Sequence, residues 1–168
     1  MTAPAPSPQF AAAYRDFMVG ALENESATTA KVLAQVRAGD WRPDPKSRTA
    51  MELAWHIPSS ELWFLRGIAA AKFEGGESQA AAPATPEAIL KFYQDEFPKA
   101  LAGIKTLTGE QLVQIVDFYG MKFPLYVYLN FCLVHSVHHR GQLSTYLRAM
   151  GGKVPDIYGG SADEPWQG

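Results

Sequence analysis

The chain is short of most features that would classify it at a glance. It has one cysteine, Cys132, in 168 residues, which excludes an intramolecular disulfide and a disulfide-stapled fold. No apolar run approaches the roughly 20 residues that a membrane-spanning helix requires. There is no run of lysine or arginine and the net charge is −2, so the phosphate neutralisation on which nucleic-acid binding leans has no source. The opening MTAPAPSPQF has no basic stretch followed by an apolar one and does not read as a secretory leader. Internal repeats and convincing alternating strands are also missing. What remains is the expectation of a cytoplasmic globular protein, with neither a membrane nor nucleic acid as partner.

Hydrophobic residues make up 47% of the chain and charged residues 19%, enough for one domain with a real core. Residues 1–8 hold three prolines and read as disordered or extended, leaving 9–168 as a single domain. A helical pattern runs from Gln9 to about Ala38; its polar middle, ENESATTA, suggests an exposed or bent stretch. A second helix opens at Thr49-x-x-Glu52, a capping-box spacing, is kinked by Pro58, and runs past Phe73 to Gly75–Gly76. Residues 76–85 form a loop of small residues. Thr85–Pro86–Glu87 starts a third helix that continues to Ile104, and Thr108-x-x-Gln111 starts a short one reaching about Val116. Residues 117–123 look irregular or extended. A long helix then spans 124–150, with Pro124 in its first turn and Gly151–Gly152 at its end. Four main helices and one minor one predict an all-α four-helix bundle in which the second and last long helices face each other.

The last long helix carries three of the four histidines: His135, His138 and His139. At about 100° per residue, His135 and His139 lie some 40° apart on one face. Neighbours at i and i+4 have Cβ atoms about 5–6 Å apart, a workable bite for one metal ion. Burying two imidazoles without satisfying their nitrogens is costly, and an ion would satisfy them. Core histidines bonded to the backbone or to each other are the equally weighted alternative, because H-x-x-x-H lacks the glutamate of H-E-x-x-H. His138 lies about 60° from His135 and 100° from His139, off this face, with a His135/His138 pair as the alternative. The fourth histidine, His56, lies on the second helix in AMELAWHI and shares a face with Glu52, Ser60, Trp63 and Gly67. If the two faces meet, three imidazoles converge, and a three-histidine set with a vacant fourth position is the catalytic kind of site. Imidazole ligands suit zinc, nickel, copper or iron(II) alike.

The neighbours have two readings each. Glu52 is a fourth ligand, an acceptor for an imidazole N–H, or only a helix-start carboxylate. Trp63, Tyr128, Cys132, Gln142 and Tyr146 flank the histidines at one-turn spacing and line a pocket, or else fill the core. Arg140 is structural or interfacial. Tyr126, Leu133, Val134 and Val137 lie opposite the histidine stripe, so the last helix is apolar nearly all round. A second copy packed about a two-fold axis would cover that face, and so would segment 108–123.

WHI at 55–57, with HSVHHRGQLSTYLRAMG and the tail VPDIYGGSADE, resembles the DinB family of DinB-like, YfiT-type helical bundles. The H-x-x-x-HRGQL stretch and the tail carry the specific likeness; over the rest of residues 9–165 only helix order and length agree. The resemblance implies a left-handed up-down-down-up bundle, a homodimer, and a divalent metal on His56, His135 and His139. Zinc or nickel comes first among the metals, with iron and manganese next. It also implies metal-dependent thiol chemistry of the S-transferase, isomerase or hydrolase type in some relatives and no known activity in others. An open metal position would hold a low-molecular-weight thiol as thiolate. The residues themselves supply no independent general base, which keeps a non-catalytic metal-binding or interaction bundle as the alternative.

Overall fold

The computed structural model describes residues 6–75 and 81–166. Four long helices form the frame: α1 Pro8–Leu33, α2 Ala50–Ala69, α3 Pro86–Lys105 and α5 Val127–Leu147. Between α3 and α5 lie the short helix α4, Gly109–Leu112, and a hairpin of β1, Ile115–Phe118, with β2, Met121–Pro124. A 3₁₀ turn, Arg148–Met150, ends the last helix, and Gly151 follows with φ 82°. α2 packs against α3 and α5, and α1 packs against the same two helices. The bundle is therefore a ring in the order α1–α3–α2–α5, with α2 beside α5 as the sequence requires.

The helix starts follow the capping chemistry. Ser7 Oγ accepts from Phe10 N–H with Pro8 in the first turn, and Thr85 does the same for α3 with Pro86. α2 and α4 each begin with a complete capping box, Thr49/Glu52 and Thr108/Gln111. Of the proline-rich start, residues 1–5 lie outside the described residues, and Pro8 already belongs to α1. The expected helix-ending Gly76 and the loop through residue 80 also lie outside them.

Four helix ends differ from the sequence reading; α4 stops at Leu112, not near Val116, because the chain enters β1 at Ile115. α1 stops at Leu33, not near residue 38. The Gln35 carbonyl there packs against Gly152, and its side chain accepts from Lys153 N–H, so this turn holds the tail. α2 stops at Ala69 in a Schellman closure: Lys72 N–H donates to Gly67 O at 2.9 Å and Ala71 N–H to Ile68 O at 3.1 Å. Ala71, not a glycine, takes the left-handed position at φ 52°, so the usual signal is missing. Phe73 then folds back onto α2, where a β-carbon on Gly67 would fall 2.5 Å from its ring. α5 begins at Val127, not Pro124, because Leu125 N–H donates to Gln114 O and Tyr126 N–H to Leu112 O.

Residues 117–123, expected to be irregular or extended, lie in a two-stranded hairpin added to the helical bundle. Val116 pairs with Phe123 and Asp117 with Lys122. The two-residue turn places both Tyr119 and Gly120 at positive φ, 51° and 86°, as a type I′ turn requires. Asp117 Oδ1 accepts from Gly120 N–H at 3.0 Å and steadies it. Tyr128, fully buried on α5, anchors the hairpin to the bundle. Its hydroxyl donates to Val116 O at 2.7 Å, accepts from Phe123 N–H at 3.3 Å and lies 3.0 Å from Met121 O.

Tyr128→Phe keeps the ring and removes that junction. The expected loss is about 1–3 kcal/mol in urea unfolding, with faster amide exchange at Phe123 than elsewhere in the core.

Candidate metal centre

The face of α2 that meets α5 is almost continuously buried from His56 through Leu62. It carries His56 two turns after the Thr49 cap, and α5 presents His135 and His139 opposite. The ring centres lie 4.9 Å apart for His56 and His135, 4.3 Å for His56 and His139, and 4.4 Å for His135 and His139. One ligand nitrogen from each ring falls within 4.8 Å of the others. A tetrahedral ion with bonds of about 2.0–2.1 Å separates its nitrogen ligands by about 3.3 Å, so small ring rotations suffice. His56 is buried, while His135 and His139 are half-buried.

Hydrogen-bond partners face Nδ1 in two of the three rings. The Ser60 hydroxyl donates to His56 O at 2.6 Å, so toward His135 Nδ1, 3.3 Å away, it accepts. Gln142 Nε2 donates to Tyr146 Oη, which leaves Oε1 to accept from His139 Nδ1 at 3.1 Å. With Nδ1 engaged in both rings, Nε2 is the atom that would face a metal, the arrangement that orients histidine ligands. Burial, then the charges of Arg48 and His139, pushes the His56 pKa down to about 3, so this ring is neutral at physiological pH. A neutral His56 beside two rings held at Nδ1, with three nitrogens converging, fits a divalent transition metal.

Of the expected pocket residues, the structure brings some to the histidines and not others. Gln142 and, through it, Tyr146 reach His139. Trp63 and His135 line one cleft, of about 460 Å³. Glu52 lines a second cleft with His56, of about 500 Å³, but its carboxylate accepts from Thr49 N–H at 2.6 Å as the capping box requires. Tyr128 is committed to the hairpin. Cys132 is fully buried with its Sγ toward Glu61 O, and burial holds its thiol well above the ordinary value, so it offers no thiolate. His138 is exposed and its ring meets that of His139 edge-on, centres 4.8 Å apart, outside the three-histidine group.

Just beneath the histidines lies a buried polar seam that the sequence reading missed. Glu61 on α2 accepts from Ser136 Oγ on α5 and from Tyr93 Oη on α3, the latter at 2.7 Å. Burial raises its pKa from 4.5 to about 7, against the lowering effect of these hydrogen bonds. The available signal was a carboxylate flanked by Ile57 and Leu65 at i±4, on an otherwise apolar face. Arg140 is buried as well, reaching the Glu25 carboxylate at 2.5 Å, Thr29 Oγ1 at 3.3 Å and Tyr158 Oη. The polar ENESATTA stretch is thus neither bent away nor wholly exposed: Glu25 and Thr29 turn inward to receive Arg140.

A ring of four helices with three convergent histidines between α2 and α5 defines a helical-bundle protein with a candidate metal site. The profile of the DinB family matches residues 16–167, and the chain belongs to that family. It is 26% identical to the protein YrdA of Bacillus subtilis over 154 residues, covering 90% of this chain and 91% of that one. It is 30% identical to YjoA of the same organism over 115 residues, 66% of this chain and 73% of YjoA. The fold is that of a DinB-like protein from Bacillus cereus, with TM-score 0.73 and 26% identity over 84% of this chain and 95% of that one. The crystal structure of YjoA aligns with TM-score 0.67 and 25% identity, covering 83% of this chain and 96% of YjoA.

Glu61→Ala leaves two buried hydroxyls without their acceptor and is expected to cost about 2–4 kcal/mol, whereas Glu61→Gln costs under about 1 kcal/mol. The sign of the pH effect follows from a folded-state pKa near 7 against 4.5 in the open chain. The contribution of protonated Glu61 is complete below 4.5 and is lost as pH rises through 7. Urea unfolding from about pH 5 to about pH 8 checks this: the slope over that range is expected to flatten in Glu61→Gln.

Proposed function

We propose that His56, His135 and His139 hold one divalent transition metal and that the protein is a metal-dependent enzyme of the thiol S-transferase type. The observation that supports this most is the convergence of the three rings, with one ligand nitrogen from each within 4.8 Å of the others, and with Ser60 and Gln142 engaging Nδ1 of His135 and His139. The metal, when bound, would lower the pKa of a small thiol and hold it as thiolate. The chain's own residues do the rest. The three imidazoles would be the donors, Ser60 and Gln142 orient those of His135 and His139, and Trp63 and Phe64 wall one side of the approach and exclude water. Zinc and nickel are the first candidates, iron(II) and manganese the next. A cytoplasmic setting, where thiols stay reduced, fits such chemistry.

The second reading is a non-catalytic metal-binding bundle. It is favoured by the state of the nearby carboxylates, since Glu52 is engaged in its capping box and Glu61 is sealed in the seam. No helix among the described residues is long and apolar enough to cross a membrane. We also propose a homodimer through α5, where Val134 is 53% exposed and the hairpin covers only the Phe131 end, through Phe123.

Protein purified without a histidine tag is expected to carry about one metal ion per chain by elemental analysis. His56→Ala and His139→Ala are expected to lose it and His138→Ala to keep it; full occupancy in His139→Ala would overturn the ligand set. Zinc-, nickel-, manganese- or iron(II)-loaded protein is then offered cysteine, glutathione, bacillithiol or mycothiol with a generic electrophile. Turnover abolished by His135→Ala supports the enzyme. Absence of turnover with every pairing, alongside a metal-dependent rise in melting temperature, selects the non-catalytic bundle. Light scattering at micromolar concentration is expected to give twice the chain mass, and a monomer refutes the dimer.

A further inference from the structure

Two clefts of unlike character meet at the histidine cluster. The first, about 500 Å³, is lined by His56 and by Arg42, Lys46 and Arg48 from the segment between α1 and α2. The second, about 460 Å³, is lined by His135 and by Trp63, Phe64, Phe118 and Tyr119. Arg48 lines both, and the rings of His56 and His135 are 4.9 Å apart. Each volume falls within the range of small-molecule sites.

Charge in the first cleft is one-sided. Its lining holds three cations and a single carboxylate, Glu52. That carboxylate is turned to Thr49 N–H, and the neighbouring Asp44 accepts from the backbone N–H of Lys46 at 2.8 Å. A low-dielectric wall lined by one sign of charge concentrates ions of the other sign, and guanidinium groups match carboxylate and phosphate oxygens. The chain as a whole carries −2, so the positive lining is local and does not reflect an overall basic surface. The second cleft is aromatic. The Trp63 ring lies 5.1 Å from Phe64 and 5.6 Å from Phe118, and Tyr119 is held over it by a hydrogen bond from its hydroxyl to Gly75 O at 2.8 Å. Flat apolar groups are what such walls accept.

We propose that the two clefts form one site for a small organic acid: its carboxylate or phosphate lies against Arg42, Lys46 and Arg48, and its flat apolar body against Trp63 and Phe118. A ligand spanning both passes beside His56 and His135, whose rings adjoin that of His139. The inference rests on the reading of those histidines as the reaction centre, and it narrows the substrate of that centre to amphiphilic anions.

The test is a chemical-shift titration of the full chain, metal-free and zinc-loaded, with 3-phenylpropionate, its neutral amide and phenyl phosphate. In the metal-free protein the acid is expected to bind at least about tenfold more tightly than the amide at low salt, with the preference shrinking as salt rises. Phenyl phosphate binding above the carboxylate would mark the site as one for phosphate esters, and the reverse order as one for carboxylic acids. Arg42→Gln with Lys46→Gln, both exposed positions, is expected to bring the acid down to the level of the amide. Arg48 stays in place because it also acts on His56. Trp63→Ala is expected to weaken acid and amide alike. Equal binding of acid and amide in protein that loads zinc overturns the proposal and leaves the metal reading standing. Acid preference seen only with zinc, and surviving in the Arg42/Lys46 variant, also overturns it, because the ion alone then holds the acid. Acid preference that depends on Arg42 and Lys46 in a chain that takes up no metal supports the pocket and removes the metal reading.

Discussion

The register of α2 against α5 governs everything else in this molecule, and a buried polar contact sets it. Glu61 and Ser136 meet in a seam from which water is excluded, with Tyr93 completing the carboxyl group's hydrogen bonds. An apolar interface alone tolerates small slips, because one leucine packs nearly as well as its neighbour. A buried carboxyl group does not, because a slip strands it and both hydroxyl partners. His56 precedes Glu61 by little more than a turn, and His135 adjoins Ser136. Locking the seam therefore locks the three imidazoles opposite one another.

A second polar tie does the same for α1 and the tail. Arg140, only 1% exposed, joins α5 to Glu25 and Thr29 of α1 and to Tyr158 beyond the last helix. A buried guanidinium holds its place only while every N–H has a partner. The polar stretch inside α1 exists to meet that need. The hairpin is held likewise, by one tyrosine hydroxyl shared among strand backbone groups. The apolar core supplies most of the driving force for folding, and these few polar contacts select one arrangement of it.

The site inherits its chemistry from this placement. Burial keeps His56 neutral and so a donor. The same burial silences Cys132, a residue that at the surface would compete for metal or react. Ser60 serves twice, donating to the His56 carbonyl along α2 and accepting from His135 across the interface, so the helix that carries one histidine orients another. Around this rigid centre the lining comes from less regular chain: the segment before α2 brings the cations, and the hairpin brings Phe118 and Tyr119.

How much of this was legible in the residues follows from the range of the forces involved. The four long helices, their caps and the shared face of His135 and His139 are local properties, set by 3.6-residue periodicity and by side chains bonding within one turn. The sequence therefore determined the bundle, the H-x-x-x-H pair and, through the HRGQL stretch and tail, the family. It misjudged where α5 starts and where α2 ends, because Gln114, Leu112 and Ala71 act there through backbone bonds that carry no residue signature. It also missed the hairpin, whose Tyr-Gly turn puts a non-glycine residue at positive φ. Only the tertiary structure decided which side chains face one another: that His56 meets the pair, that Tyr128 and Cys132 belong to the core and not to a pocket, that Glu61 is buried and Arg140 matched. Most of those outcomes depend on contacts between residues 71 and more positions apart, and such contacts exist only after the chain has closed on itself.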